Sequence, residues 1–324
     1  MAIPIILDCD PGHDDALAIV LAAGNPDVDL QAITTVAGNQ PLEKTTYNAR
    51  LVSSLAGISG VPIAAGCSGP VGGPGVVHTT PIEVGRAIHG TTGLDGVTLD
   101  APTVPLVGID AVTLMRELLI KAPEQLTIVA TGPLSNVATL IAQNPEVTSA
   151  IREIVCMGGS TDRGNVTPYG EFNVVADPEA YHIVLQSDVK LTLCGLNVTH
   201  QILVSDSRLE AIKCLNTPLA DACHAWMTFF ADTYREVFGM PDPPLHDPIA
   251  VARVIKPEIV GCIDVPLGIE LLGNLTRGAT VVDLHHVTDI KTHAHVATTV
   301  DHDGFWSIML NAIDTLGRRR RRGI

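Results

Sequence analysis

Between Asp8 and Asp15 the chain places four carboxylates in eight residues, Asp8-Cys9-Asp10-Pro11-Gly12-His13-Asp14-Asp15, directly after the apolar run Ile3-Pro4-Ile5-Ile6-Leu7. Like charges this close repel, and burying them unpaired costs several kcal/mol or more. An apolar strand that delivers such a cluster calls for a positive partner, and a hard divalent cation with oxygen ligands is the natural one. Pro11-Gly12 turns the chain, so Asp10 at the strand end and Asp15 at the helix start can face one point. Asp14 and Asp15 stand where a helix dipole favours negative charge. Helix capping by Asp14 would leave Asp8 and Asp10 unexplained.

Four more segments place polar or glycine-rich chemistry after an apolar run or at a helix start: Ala37-Gly38-Asn39, Thr131-Gly132-Pro133-Leu134-Ser135-Asn136, Met157-Gly158-Gly159 and Leu245-His246-Asp247-Pro248. Asp247 can bring a distant carboxylate to the same cation, or cap a helix beginning at Pro248. His246 taken alone equally suits a structural role. The run from Asn165 to Asn173 carries Glu171 between two amides, a set that can bond sugar hydroxyls or form an ordinary polar loop. His293 and His295 share one face of a strand-like run and are read as structural.

These segments need a frame that gathers them. Apolar runs at Ile3–Cys9, Leu30–Val36, Leu126–Ala130, Glu153–Met157 and Val189–Cys194 read as strands. Periodic segments at Asp14–Ala23, Pro41–Leu55, Ala111–Ile120, Ser135–Gln143 and Pro178–Gln186 read as helices between them. The alternation predicts an α/β fold: an open, mostly parallel, doubly wound sheet with helices on both faces. In such sheets ligands sit beyond the carboxyl ends of the strands, and the five segments, each after an apolar strand or at a helix start, would converge at that end. The stretch Cys67–Gly96, rich in Gly and Pro, reads as an irregular loop able to close over a ligand. Further on, Asp221–Phe238 reads as a long aromatic-bearing helix and Pro248–Ile255 as another, while Ala279–Leu284 and Thr292–Val300 read as strands. One domain over residues 1–317 is expected, with a basic, disordered tail at 318–324.

Composition narrows the classes. Hydrophobic residues make up 46% and charged ones 17%, enough for a sizeable core. The net charge of −15 argues against nucleic acid or an anionic membrane as partner. Seven scattered cysteines without a C-x-x-C pair point to a reducing compartment, and no apolar run suits a signal peptide or a membrane span, so a cytoplasmic protein is expected.

The run Asp8-Cys9-Asp10-Pro11-Gly12-His13-Asp14-Asp15-Ala16 resembles the N-terminal fingerprint of the nucleoside hydrolases, the inosine–uridine-preferring N-ribohydrolases with their pyrimidine-specific bacterial members. The segments at 131–136, 157–159, 171–173 and 245–248 are similar to that family's motifs, in its order. The resemblance implies hydrolysis of the N-glycosidic bond of small-molecule ribonucleosides such as uridine, cytidine or inosine. It implies a Ca²⁺ ion held by Asp10, Asp15, Asp247 and a main-chain carbonyl near Thr131, with Asp10 also the general base. Asp14, Asn39, Asn165, Glu171 and Asn173 would hold the ribose. His246, with His89 second, would serve the leaving base, and Tyr234 and Phe238, four residues apart on one helix face, would border it unless they belong to the core. Asp8 is left with a supporting role. The family's habit implies a homo-oligomer, a dimer or a tetramer, in nucleotide salvage. Two rivals remain at this point: a haloacid-dehalogenase-type phosphatase, which also sets D-x-D after a first strand, and a non-catalytic nucleoside binder on the same scaffold.

Overall fold

Short runs rich in Ile, Val and Leu form the strands of a computed structural model that describes residues 2–72, 81–122 and 126–321, with the backbone alone at 81, 82, 320 and 321. They are β1 (Ile3–Cys9), β2 (Val28–Thr35), β3 (Ile63–Ala65), β4 (Leu126–Ala130), β5 (Ile151–Met157), β6 (Leu191–Cys194), β7 (Val260–Ile269), β8 (Thr280–Val282) and β9 (His293–Val300). All join one sheet in the order β3-β2-β1-β4-β5-β6-β9-β7-β8. The strands from β3 across to β9 run parallel, and β7 and β8 complete the far edge antiparallel.

The helices are α1 (His13–Gly24), α2 (Leu42–Ala56), α3 (Pro81–His89), α4 (Ala111–Lys121), α5 (Ser135–Gln143), α6 (Phe172–Ala176), α7 (Pro178–Gln186), α8 (Leu196–Thr199), α9 (Asp206–Lys213), α10 (Pro218–Phe238), α11 (Pro248–Ile255) and α12 (His302–Arg321). They cover both faces of the sheet. Ile5, Leu7 and Cys9 of β1 pack on one side with Leu17 of α1, Trp226 of α10 and Trp306 of α12. Ile6 points the other way, into a second core with Met115 of α4, Val137 of α5 and Val184 of α7. Burial on both faces is why the central strands read as unbroken apolar runs rather than alternating ones. Each such side chain contributes about 1.5–3 kcal/mol relative to exposure.

The expected doubly wound α/β sheet is observed. Several details differ from the sequence reading, which also had no counterpart for α6, α8 and α9. β3 and β7 had no expected counterpart; β3 is only three residues long, and β7 lies at the sheet's far end with a half-exposed, interrupted apolar pattern. Within the stretch read as an irregular loop, Pro81–His89 is the helix α3, opened by a proline, while residues 73–80 lie outside the described residues. The tail expected to be disordered from residue 318 continues α12 through Arg321. There Arg318 Nε donates to both carboxylate oxygens of Asp314 at 2.7 and 2.8 Å, and arginine suits a helix end. No helix among the described residues is long and apolar enough to cross a membrane.

The strand order reverses between β1 and β4: β2 and β3 extend to one side of them, β5 and β6 to the other. The crevice beyond the carboxyl ends of β1 and β4 is thus the switch point where such sheets bind ligands.

Candidate active site

Asp10 leaves the end of β1 at this switch point, and Pro11-Gly12 turns the chain into α1. Asp15 closes that turn, its Oδ2 accepting the Gly12 N–H at 2.9 Å and its Oδ1 the Asp10 N–H at 3.3 Å. The cap anticipated for Asp14 is therefore made by Asp15. From β4, Thr131 Oγ1 donates to Asp15 Oδ1 at 2.7 Å, and from the end of β2 Asn39 Nδ2 donates to Asp15 Oδ2 at 3.2 Å.

Asp247 arrives from the far end of the sequence, just before α11. Its side chain makes no capping bond, so the alternative of a simple helix cap is not realised. Instead Asp14, Asp15 and Asp247 each bring a carboxylate oxygen within 4.8 Å of the others. Asp10 lies beside them, its Oδ2 accepting the Asn39 N–H at 2.7 Å. Two glycines make room for it: a Cβ on Gly38 would stand 2.1 Å from Asp10 Oδ2, and one on Gly132 2.5 Å from Oδ1.

The cluster is starved of positive charge. Burial, then the neighbouring Asp15, pushes the Asp10 carboxyl well above its ordinary range and Asp14 up to about 7. Burial, then the charges of Asp14, Asp15 and Asp10, does the same to Asp247. Oδ1 of Asp10 and Oδ1 of Asp14 are buried with no hydrogen-bond partner among the described residues. Carboxylates gathered from separate segments, two of them with a buried oxygen that meets no donor among the described residues, fit a hard divalent cation. Asp8, two residues before Asp10, is engaged elsewhere: its Oδ1 accepts from Thr34 Oγ1 at 2.7 Å and Asn136 Nδ2 at 2.8 Å, tying β1 to β2 and α5, while its Oδ2 is buried with no hydrogen-bond partner among the described residues.

Above the cluster a single cleft is lined by Asp14, Asn39, His89, Thr131, Asn165, Glu171, Asn173, Tyr234, Phe238, His246 and Asp247. All the residues expected to hold substrate are thus brought together, while Asp10 and Asp15 are fully buried behind this lining, bonded to Asn39 and Thr131. Their hydrogen bonds refine the roles. Asn173 Nδ2 donates to the Thr131 carbonyl at 2.8 Å, which places that oxygen at the cluster's edge. Glu171 caps α6, accepting from the Asn173, Val174 and Gly159 N–H groups. Asn165 Oδ1 accepts the Phe172 N–H at 2.9 Å. His246 is spanned on both sides, Nδ1 by Thr199 Oγ1 and Nε2 by the Tyr234 hydroxyl, each at 2.8 Å. Burial lowers His246 to about 3 and His89 well below the usual histidine value, so both rings are neutral at pH 7. Tyr234 packs on Phe230 and Phe238, with ring centroids 4.6 and 5.0 Å away. The stripe on α10 is therefore both core and cleft wall, a combination the two sequence readings set against each other.

The sequence reading missed Val84 and Ile88 of α3, and Phe230 and Phe172, which complete the wall. Phe230 was within reach, since it precedes Tyr234 by four residues on the same helix face. Val84 and Ile88 carried no signal, because their helix lies in a segment whose composition hides it.

Residues 5–307 match the family model described as inosine-uridine preferring nucleoside hydrolase. The chain belongs to this family. The hydrolase is 41% identical, over 95% of its own length and 98% of the relative's, to a pyrimidine-specific ribonucleoside hydrolase RihA of Photobacterium profundum. It is 40% identical to the RihA of Shigella boydii, over 97% and 99% of the two chains. Among solved structures it superimposes on a purine-preferring ribonucleoside hydrolase from Gardnerella vaginalis with a TM-score of 0.89 at 30% identity, covering 97% and 99% of the chains. An inosine-guanosine nucleoside hydrolase superimposes with a TM-score of 0.86 at 26% identity over the same shares. The hydrolase is thus a ribonucleoside N-glycosidase, and the phosphatase and bare-binder readings lose their ground.

Proposed function

We propose that the hydrolase cleaves pyrimidine ribonucleosides, uridine and cytidine, to free base and ribose with a bound calcium ion. The observation that carries this reading is the buried aspartate cluster, with unpartnered carboxylate oxygens, in and behind the wall of a cleft lined by amides, carboxylates and aromatic rings. Asp10, Asp15, Asp247 and the Thr131 carbonyl would hold the ion, which supplies acidification of a water molecule and a grip on ribose hydroxyls. Calcium acidifies water less than zinc does, so a carboxylate base matters. Asp10, with Oδ1 free of hydrogen bonds, takes the proton from the attacking water. Asp14 and Asn173 orient the ribose, with Asn39, Asn165 and Glu171 around it. Such contacts accelerate cleavage where they tighten as the sugar becomes oxocarbenium-like. His89 takes the leading role toward the leaving base, because both ring nitrogens of His246 are already engaged. The pyrimidine preference rests on the RihA relatives at 40–41% identity, above the 30% of the purine-preferring enzyme. All seven cysteines are free, which supports a cytoplasmic setting.

The test is release of free base from uridine, cytidine and inosine, with and without chelator. Uridine and cytidine should react faster than inosine, chelation should abolish turnover, and calcium should restore it. Asp10→Asn should lower kcat by about 10²–10⁴-fold. A variant within tenfold of the parent would rule out Asp10 as base, and faster cleavage of inosine would overturn the pyrimidine preference.

A further inference from the structure

One residue of the first motif has no part in the proposed mechanism, yet it stands directly behind His89. His13 opens α1 and is fully buried. Its ring Nε2 lies 2.8 Å from the main-chain oxygen of Asp95. A carbonyl oxygen only accepts, so Nε2 of His13 carries the proton and Nδ1 of the neutral ring carries none. On its other side, the main-chain N–H of His13 donates to Nδ1 of His89 at 3.1 Å, and the two Nδ1 atoms are also 3.1 Å apart.

The main-chain N–H of His13 only donates, so Nδ1 of His89 accepts it when the proton of the neutral His89 ring sits on Nε2. That pattern sets two unprotonated Nδ1 atoms 3.1 Å apart, whereas a proton on Nδ1 of His89 would bond His13 Nδ1 and leave the amide without its acceptor. The amide hydrogen is the one whose position the backbone fixes, and it selects the Nε2–H form. Nε2 of His89 meets no partner among the described residues, and His89 lines the cleft.

The pair is held from all sides. The His13 ring stacks on Phe229 and His89 with centroids 5.2 and 5.3 Å apart, and Phe230 lies 5.5 Å from His89. The Asp95 carboxylate fixes its own turn by accepting the Thr91 and Thr92 N–H groups at 2.9 and 3.0 Å. Gly12 lets His89 lie against the turn, since a Cβ there would stand 2.7 Å from the imidazole ring.

We propose that His13 is a positioning residue for departure of the base, anchored on the Asp95 carbonyl and holding His89 as its Nε2–H tautomer with that N–H toward the cleft. The inference rests on the proposed function. As the bond from the anomeric carbon to the base nitrogen breaks, its electron pair moves onto the base. The base then accepts a hydrogen bond from Nε2–H of His89, while the proton of the attacking water passes to Asp10.

Two measurements test this. The first needs no variant: long-range ¹H–¹⁵N correlations of histidine-labelled parent protein report the His89 tautomer at pH 7.5. An Nε2–H signature is expected, and an Nδ1–H signature would overturn the proposal whether or not any nucleoside is cleaved. Failure of the functional reading is seen separately, as absence of base release by the parent. The second uses His13→Phe, which keeps a stacked ring and the main-chain N–H but cuts the ring's anchor on the Asp95 carbonyl and removes the Nδ1 beside His89, so it tests whether that anchored ring holds His89 in place. On uridine kcat should fall by about 10–100-fold with KM within about twofold, a loss on the scale of a misplaced catalytic group. On p-nitrophenyl riboside, whose leaving group departs unaided, the loss should stay within about threefold, because only help to the leaving group is removed. An equal fall on both substrates, or an unchanged rate on uridine, would overturn the assignment.

Discussion

Glu171 turns both carboxylate oxygens onto main-chain amides, and only 2% of its surface meets solvent. Burial pushes it up to about 7, against the three N–H groups that favour its charged form. The usual value in an unfolded chain is about 4.3. Because the folded value is the higher one, the stability Glu171 contributes is complete below about pH 4.3 and is lost as pH rises toward 7. Glu171→Gln removes that ionisation. The stability advantage of parent over variant should therefore shrink between pH 5 and 7, by at most about 1.4 kcal/mol per pH unit. Urea denaturation at the two pH values, with chelator present, measures it, and a difference that does not change with pH would exclude the raised value.

The turn between β1 and α1 and the turn after β4 meet around Asp10, and their geometry depends on missing side chains. A Cβ on Gly132 would press within 2.5 Å of Asp10 Oδ1, the oxygen assigned to the attacking water. Neither partner can yield easily, because Asp10 Oδ2 is held by the Asn39 N–H and the Thr131 N–H is bonded to the Asp8 carbonyl. Gly132→Ala should lower kcat by about 10²-fold, the scale expected when a catalytic group shifts by an ångström. The helices should stay folded, so far-ultraviolet circular dichroism should be unchanged. Retention of more than half the parent kcat would show that Asp10 is not confined in this way.

At the scale of the whole molecule, the aspartate cluster joins the first turn of the chain to residue 247, and a cation there would bind only the folded form. Its affinity then adds to stability, by about 2.7 kcal/mol when calcium stands at a hundred times its dissociation constant. In a chain of this size that should raise the thermal midpoint by about 4 °C over chelated protein. Magnesium should do less at equal concentration, since it demands tight octahedral geometry and gives up water reluctantly. A midpoint that calcium leaves unmoved would sink the proposed ion site.

Much of this site is legible in the amino-acid sequence alone. The central strands are buried on both faces, so their apolar runs stand out, and the polar segments that follow them mark the crevice by simple adjacency. The four carboxylates from Asp8 to Asp15 announce their need for a cation through local charge density. Tertiary structure decided what depends on approach between distant segments. It brought Asp247 to Asp14 and Asp15, moved the cap from Asp14 to Asp15, turned Asp8 toward Asn136, and gave Glu171 a backbone to hold. It also revealed α3 and the partnership of His13 with His89, 76 residues apart in sequence. A chain can display which groups are acidic, aromatic or apolar, but hydrogen-bond partners and tautomers follow from which atoms meet, and here that is determined by the packing of the sheet and its helices.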